Sequence, residues 1–117
     1  AMIRKWWRET GFEADAQRAI LTRFGDALTA DDHAVRADLL LYGAQGPAAR
    51  EMIPLLAADR QAAALARIAL RSGSEAAYNA LTPAQQAEEG VSFERAALLR
   101  RRGDEAGAVA EFARHVR

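Results

Sequence analysis

The chain has 117 residues, enough for one small domain, and half of them are hydrophobic, so a core can be buried. Its 16 basic and 16 acidic residues cancel. That balance argues against a duplex-binding surface while leaving open a basic face opposed by an acidic one. There is no cysteine, which excludes disulfides, thiolate zinc sites and thiol catalysis without fixing a compartment.

Alanine, leucine and arginine dominate and β-branched residues are few, a composition that favours helix throughout. No apolar run approaches the ~18 residues of a membrane span. Ile3 is followed at once by Arg4, Lys5, Trp6 and Trp7, so no secretory signal is read at this end. Ala1-Met2 reads as an expression remnant. The chain is therefore expected to be a piece of a longer protein, and the missing signal says nothing of location.

Met2 to Glu9 is the first helix candidate. Trp6 and Trp7 are adjacent and cannot share one narrow helical face, so one is expected inside and the other at an edge. Thr10-Gly11 closes this helix. Glu13 to Phe24 follows, with Ala16, Ile20, Leu21 and Phe24 as its inward stripe and Gly25 at the place of a left-handed cap. Thr29 is a good N-cap for the next helix, which carries Asp31 and Asp32 in its first turn and runs to about Tyr42. Val35, Leu39 and Tyr42, broadened by Leu40 and Leu41, form its expected inner face, and Gly43 stops it. Pro47 suits a first helical position, and the helix it opens is expected to reach about Ala58, kinked or shortened by Pro54. Asp59 caps Arg60 to Ser72, where Leu65, Ile68 and Ala69 form the stripe.

Gly73-Ser74 turns the chain into a short helix from Glu75 to about Leu81. Thr82-Pro83 opens another short helix that ends near Gly90. Ser92 to Arg102 is helical, with Phe93, Ala96, Ala97 and Leu99 inside, and it ends on Arg100-Arg101-Arg102 and Gly103. Asp104 caps the last helix, whose stripe is Val109, Phe112, Ala113 and Val116.

Aligning the turns shows a repeat. The segments LLLYGAQGPAARE, IALRSGSEAAYNA and LLRRRGDEAGAVAE share an apolar helix end, a glycine, a polar cap and an alanine-rich helix start. Gly43, Gly73 and Gly103 recur every 30 residues, and Gly11 stands 32 earlier. This spacing predicts an all-α fold, an α-solenoid or superhelix of tetratricopeptide-like hairpins, as one domain over residues 1–117.

Groups able to do chemistry are sparse. His33 follows Asp31-Asp32 without any metal-ligand spacing and reads as a packing or capping residue at a helix start. His115 reads as solvated near the C-terminus. Asp31-Asp32 and Glu88-Glu89 are adjacent pairs at helix ends, which complement the helix dipole and do not face each other across a cleft as a glycosidase pair must. Ser72 and Ser74 flank a turn glycine. Arg100, Arg101 and Arg102 read as helix-end cations first and as an anion site second. No nucleophile elbow, P-loop or dinucleotide fingerprint is present. The expected catalytic, cofactor and metal residues are therefore none.

One stretch resembles a known family. RFGDALTADDHAVRADLLLYGAQGPAAREMIPLL, from Arg23 to Leu56, is similar to the superhelical, U-shaped domain of bacterial soluble lytic murein transglycosylases. The likeness rests on Arg23, Phe24, Gly25, Leu28, Thr29, Asp32, His33, Arg36, Asp38, Leu40, Leu41, Tyr42, Gln45, Ala48, Ala49, Arg50, Met52, Pro54, Leu55 and Leu56. AALLRRRGDEAGA is a less specific second match. The chain departs from the pattern at Gly43-Ala44-Gln45, where the family has glycine directly before the glutamine, and at Tyr42, where it often has tryptophan. The resemblance implies a periplasmic scaffold of an enzyme that cleaves peptidoglycan glycan strands to 1,6-anhydromuropeptides. The catalytic glutamate would lie in a lysozyme-like domain outside these residues. The implied partners are the glycan strand and that catalytic domain, with self-association through exposed apolar ends as a further expectation. A stand-alone tetratricopeptide-like interaction module is the alternative.

Overall fold

A computed structural model describes residues 2–9 and 14–113. The expectations placed on Ala1, Thr10, Gly11, Glu13, His115 and Val116 lie outside the described residues. All regular structure within them is helical. The α-helices are α1 Met2–Glu9, α2 Ala14–Phe24, α3 Ala30–Tyr42, α4 Pro47–Met52, α5 Ala58–Arg71, α6 Ala76–Asn79, α7 Pro83–Gln86, α8 Glu89–Arg101 and α9 Glu105–Ala113, with 3-10 turns at Gly25–Ala27 and Ile53–Leu55. The chain divides into two compact units, residues 1–61 and 62–117, and the division falls within α5.

The helix ends follow their local chemistry. Thr29 caps α3 in a reciprocal box: its Oγ1 accepts from the Asp32 N–H at 3.1 Å, and the Asp32 carboxylate accepts from the Thr29 N–H at 2.8 Å. Thr82 and Gln85 repeat the box at the start of α7. Pro47 occupies the first turn of α4. Pro54 lacks the N–H that a longer helix would need, and α4 gives way at Met52 to a 3-10 turn.

Two of the three repeat glycines make one kind of stop. After α5, the Gly73 N–H donates to the Leu70 carbonyl at 3.1 Å and the Ser74 N–H to that of Ala69 at 2.9 Å. After α8, Gly103 donates to Arg100 at 3.0 Å and Asp104 to Leu99 at 2.8 Å. These are Schellman turns, and both glycines hold a positive φ, +101° and +83°. Gly43 differs, at φ −79°, and the left-handed residue after α3 is Gln45, φ 55°. Gly25 holds no left-handed φ and begins a 3-10 turn, contrary to the cap expected there.

In the first unit Trp7, Leu28, Ala37, Leu41, Ala49, Met52, Ile53 and Leu56 are buried, and α3 packs against both α1 and α4. In the second, Ala63, Ala66, Leu70, Tyr78, Leu81, Val91 and Leu98 form one apolar cluster across α5, α6 and α8, with α9 laid along α8. Of the tryptophan pair, Trp7 is fully buried and Trp6 is 58% exposed.

Several helices are rotated from the orientation their large apolar residues suggest. Val35, Leu39 and Tyr42 lie on the exposed side of α3, while Asp32, Arg36, Ala37 and Leu41 are inside. In α2 the buried residue is Gln17, and Ala16 and Phe24 are exposed. Leu65 of α5, Phe93 of α8 and Val109 and Phe112 of α9 are exposed as well. The inward places go to alanines and to charged groups that find partners on other helices: Arg36, Glu94 and Glu111. Small alanines let helices approach closely. A buried charge survives only when another element supplies its counterpart.

Candidate functional site

The densest gathering of polar chemistry in the first unit is built on the start of α3. Asp32 is fully buried. Besides the Thr29 N–H, its carboxylate accepts from Arg4 Nε at 2.8 Å and Arg8 Nε at 2.7 Å, both from α1. Burial alone would raise this carboxyl, but the Thr29 backbone bond and the two guanidinium bonds outweigh it and hold it well below the ordinary aspartate range. Arg8 reaches Asp31 as well, at 3.2 Å.

One turn further along α3, Arg36 is fully buried with its guanidinium stacked on Trp7, 4.4 Å from the ring. Its Nε donates to the Gln17 side-chain carbonyl at 2.8 Å, and its Nη1 to the Trp7 backbone carbonyl at 3.1 Å. The other end of the Gln17 amide donates to the Ala48 carbonyl at 2.9 Å. Burial lowers the Arg36 guanidinium to about 10, so it stays charged at neutral pH. The network thus stitches α1, α2, α3 and α4 through three side chains, Arg36, Trp7 and Gln17, and two backbone carbonyls.

His33 belongs to the same cluster. Its ring meets Trp7 edge-on, centroids 5.8 Å apart, and its Nδ1 is buried with no hydrogen-bond partner among the described residues. Burial lowers its basicity, and the neighbouring Asp32 charge partly offsets this. The imidazole thus packs against an indole, and the Asp32 carboxylate beside it is already engaged by Thr29, Arg4 and Arg8.

The second unit has its own hub. Arg95 of α8 pairs with Glu75 at 3.3 Å and with buried Glu111 of α9 at 3.0 Å, donates to the Tyr78 hydroxyl at 2.9 Å, and stacks over the Tyr78 ring. Burial works against its charge, but the Tyr78 bond and the two carboxylates prevail and raise the guanidinium above its ordinary value. Arg71 makes a two-pronged pair with buried Glu94, Nε to Oε1 at 3.3 Å and Nη2 to Oε2.

The basic run after α8 acts on a neighbouring helix. Arg101 Nη2 donates to the Leu70 and Arg71 carbonyls at 3.1 and 3.2 Å, and Arg102 Nη2 to the Gly73 carbonyl at 2.7 Å while its Nη1 holds Glu75 at 2.9 Å. Two of the three cations therefore satisfy the last carbonyls of α5. Arg100 and Arg101 border a shallow groove with Ala97 and Glu105, where the acid opposes any anion.

The remaining sequence candidates do not converge. Asp31, Glu88 and Glu89 are exposed at helix starts, and Ser72 and Ser74 are exposed around the Gly73 turn. Among the described residues no group of His, Asp and Glu could hold a metal ion, and no helix is long and apolar enough to cross a membrane. Sequence reasoning did not identify Gln17, Trp7 and Arg36 as one assembly, or Arg95 as a hub. The available hint was an arginine set between Val35 and Ala37, one turn after Asp32. Comparison of the chain with protein-family models, with curated proteins and with solved structures finds no match.

Proposed function

We propose that this chain is a non-catalytic scaffold segment of a periplasmic lytic murein transglycosylase, built as a superhelix of tetratricopeptide-like hairpins. The observation that carries the reading is the use made of the resembling residues. Thr29 caps α3, and Asp32 and Arg36 tie that helix to α1 and α2. Asp32 and Arg36 have no exposed surface from which to touch a substrate. Residues used this way suit an architectural domain that positions a glycan strand beside a separate catalytic domain. The matching Schellman turns at Gly73 and Gly103 support the hairpin repeat.

The test is incubation with purified peptidoglycan sacculi. The chain is expected to sediment with the sacculi and to release no soluble muropeptides. Release of 1,6-anhydromuropeptides by this chain alone would overturn the non-catalytic assignment, and failure to sediment would remove the glycan-positioning role.

A second reading, a stand-alone helical-repeat module that binds a protein, draws on the exposed Leu65, Phe93, Val109 and Phe112. Capture of one defined protein by the chain, abolished by Leu65→Lys and accompanied by no retention on sacculi, would favour it.

A further inference from the structure

In the second unit, α8 rests on a seat built from the end of α5 and the turn that follows it. Arg71 pairs with Glu94 of α8. Glu75 receives Arg95 at 3.3 Å and Arg102 at 2.9 Å, and the Gly73 carbonyl accepts a further bond from Arg102 at 2.7 Å. Leu70 has no exposed surface and shares one apolar cluster with Val91 and Leu98 of α8. Arg67 lies so close against α8 that a Cβ added at Gly90 would collide with its guanidinium.

The same seat is laid out again thirty residues later. The groove bordered by Ala97, Arg100, Arg101 and Glu105 uses the positions that correspond, one for one, to Arg67, Leu70, Arg71 and Glu75. The turn within it is the same as well: Gly103 has the left-handed φ of Gly73, and the paired bonds closing the two turns match. Tyr78 and Ala108 are both buried, so the helices after the turns keep one register. Only the occupancy differs. Arg67 and Leu70 are buried and Arg71 and Glu75 half-buried against α8, whereas Arg100, Arg101 and Glu105 are exposed.

We propose that this groove is a docking site for a helix of the α8 type, presented by another hairpin unit of the same repeat. The pattern of that helix is written in α8 itself: Val91, Glu94, Arg95, Leu98 and Arg102 stand at i, i+3, i+4, i+7 and i+11, on one face. The charges complement each other. Arg101, fixed by its Nη2 bonds to the end of α5, supplies the cation for the glutamate. Glu105 and the Gly103 carbonyl supply the acceptors for the second arginine. A second copy of this chain cannot offer its own α8, because Val91, Glu94 and Leu98 are buried within their unit. Two positions depart from the occupied seat. Ala108 stands where Tyr78 receives Arg95, and Arg100 where Leu70 closes the apolar contact. The second seat is therefore more polar, its hold falls chiefly on the second arginine, and the contact is an exchangeable one. The proposal rests on the hairpin repeat and not on the peptidoglycan assignment.

The probe is a fluorescently labelled peptide of residues 88–102, which carries the α8 pattern, titrated with the whole chain and followed by anisotropy. One-to-one binding is expected. Glu105→Arg in the chain changes an exposed residue. It is expected to leave the helical circular-dichroism spectrum unchanged and to weaken binding about tenfold. Arg102→Glu in the peptide is expected to weaken it to the same degree. Combining the two reversed partners is expected to restore it, which ties the contact to this groove rather than to exchange with the resident α8. No binding, undiminished binding to Glu105→Arg, or no recovery in the reversed pair overturns the proposal. Each of those results leaves sedimentation with sacculi and muropeptide release, the tests of the scaffold reading, unaffected.

Discussion

Asp32 serves two purposes through one carboxylate. It closes the capping box at the start of α3, and it is the anchor to which two arginines of α1 are tied. Asparagine keeps the cap acceptor and loses the charge, whereas alanine loses both. Asp32→Ala is therefore expected to destabilise the fold by about 2 kcal/mol and Asp32→Asn by about 1 kcal/mol, read from urea midpoints. Arg4 and Arg8 are part-exposed and can turn to water once released, which keeps the loss below that of a fully buried orphaned charge. The acid side follows from the same bonds. The folded-state pKa of Asp32 is depressed, so its contribution is complete above the unfolded value near 3.9 and is lost as pH falls below that.

His33 titrates in a different window. Its folded pKa lies below its unfolded value, so between the two the unfolded chain binds more protons and stability rises with pH. Lowering the pH from 7.5 through 6.5 toward 5 is expected to reduce the urea midpoint, and His33→Gln to flatten that part of the profile. An unchanged slope in the variant would remove His33 as its source.

At the scale of the elements, the three glycines thirty residues apart separate into two kinds. An added Cβ meets nothing within 4 Å at Gly73 or Gly103, so a substitution there is opposed by backbone conformation alone. Gly73→Ala and Gly103→Ala are each expected to cost about 1–2 kcal/mol. Gly43→Ala, with negative φ and ordinary contacts at 3.5 Å, is expected to be nearly neutral. Equal losses at all three positions would contradict the turn geometry.

Helix ends were the legible part of this chain because their signals are local. A cap, its partner three residues on, a proline at the first turn and a glycine after the last all lie within a few residues, and Thr29, Thr82, Pro47, Gly73 and Gly103 do what their positions announce. Helix orientation was not legible. Periodicity shows that α3 has an apolar side, but Arg36 faces inward because Trp7 and Gln17, 29 and 19 residues earlier, receive it. Glu94 turns inward toward Arg71, 23 residues away, and Glu111 toward Arg95. The reason a charge is buried thus lies on another helix, where no window along the chain can find it.

For the molecule as a whole, composition foretold helices throughout, and the described residues contain no other regular structure. Each compact unit combines alanine-rich packing with one arginine hub, Arg36 in the first and Arg95 in the second. Arg36 is held by neutral acceptors and an indole and Arg95 by two carboxylates, and the overall charge balance is zero with an isoelectric point near 7.0. A protein without net charge loses the repulsion that keeps copies apart. Solubility is expected to pass through a minimum close to pH 7 and to rise on either side, measurable by light scattering across a pH series.

The adjacent tryptophans make the molecule its own optical gauge. Trp6 stands largely in solvent and Trp7 has no exposed surface, so one indole emits from water and the other from a dry pocket lined by a guanidinium and an imidazole. Replacing Trp6 with phenylalanine leaves a single shielded emitter on the first helix. Its wavelength and its protection from acrylamide then follow the attachment of that helix alone, separately from any loss of helix elsewhere. Protonated imidazole is also an efficient quencher of indole emission, so the charge state of His33 becomes visible as brightness.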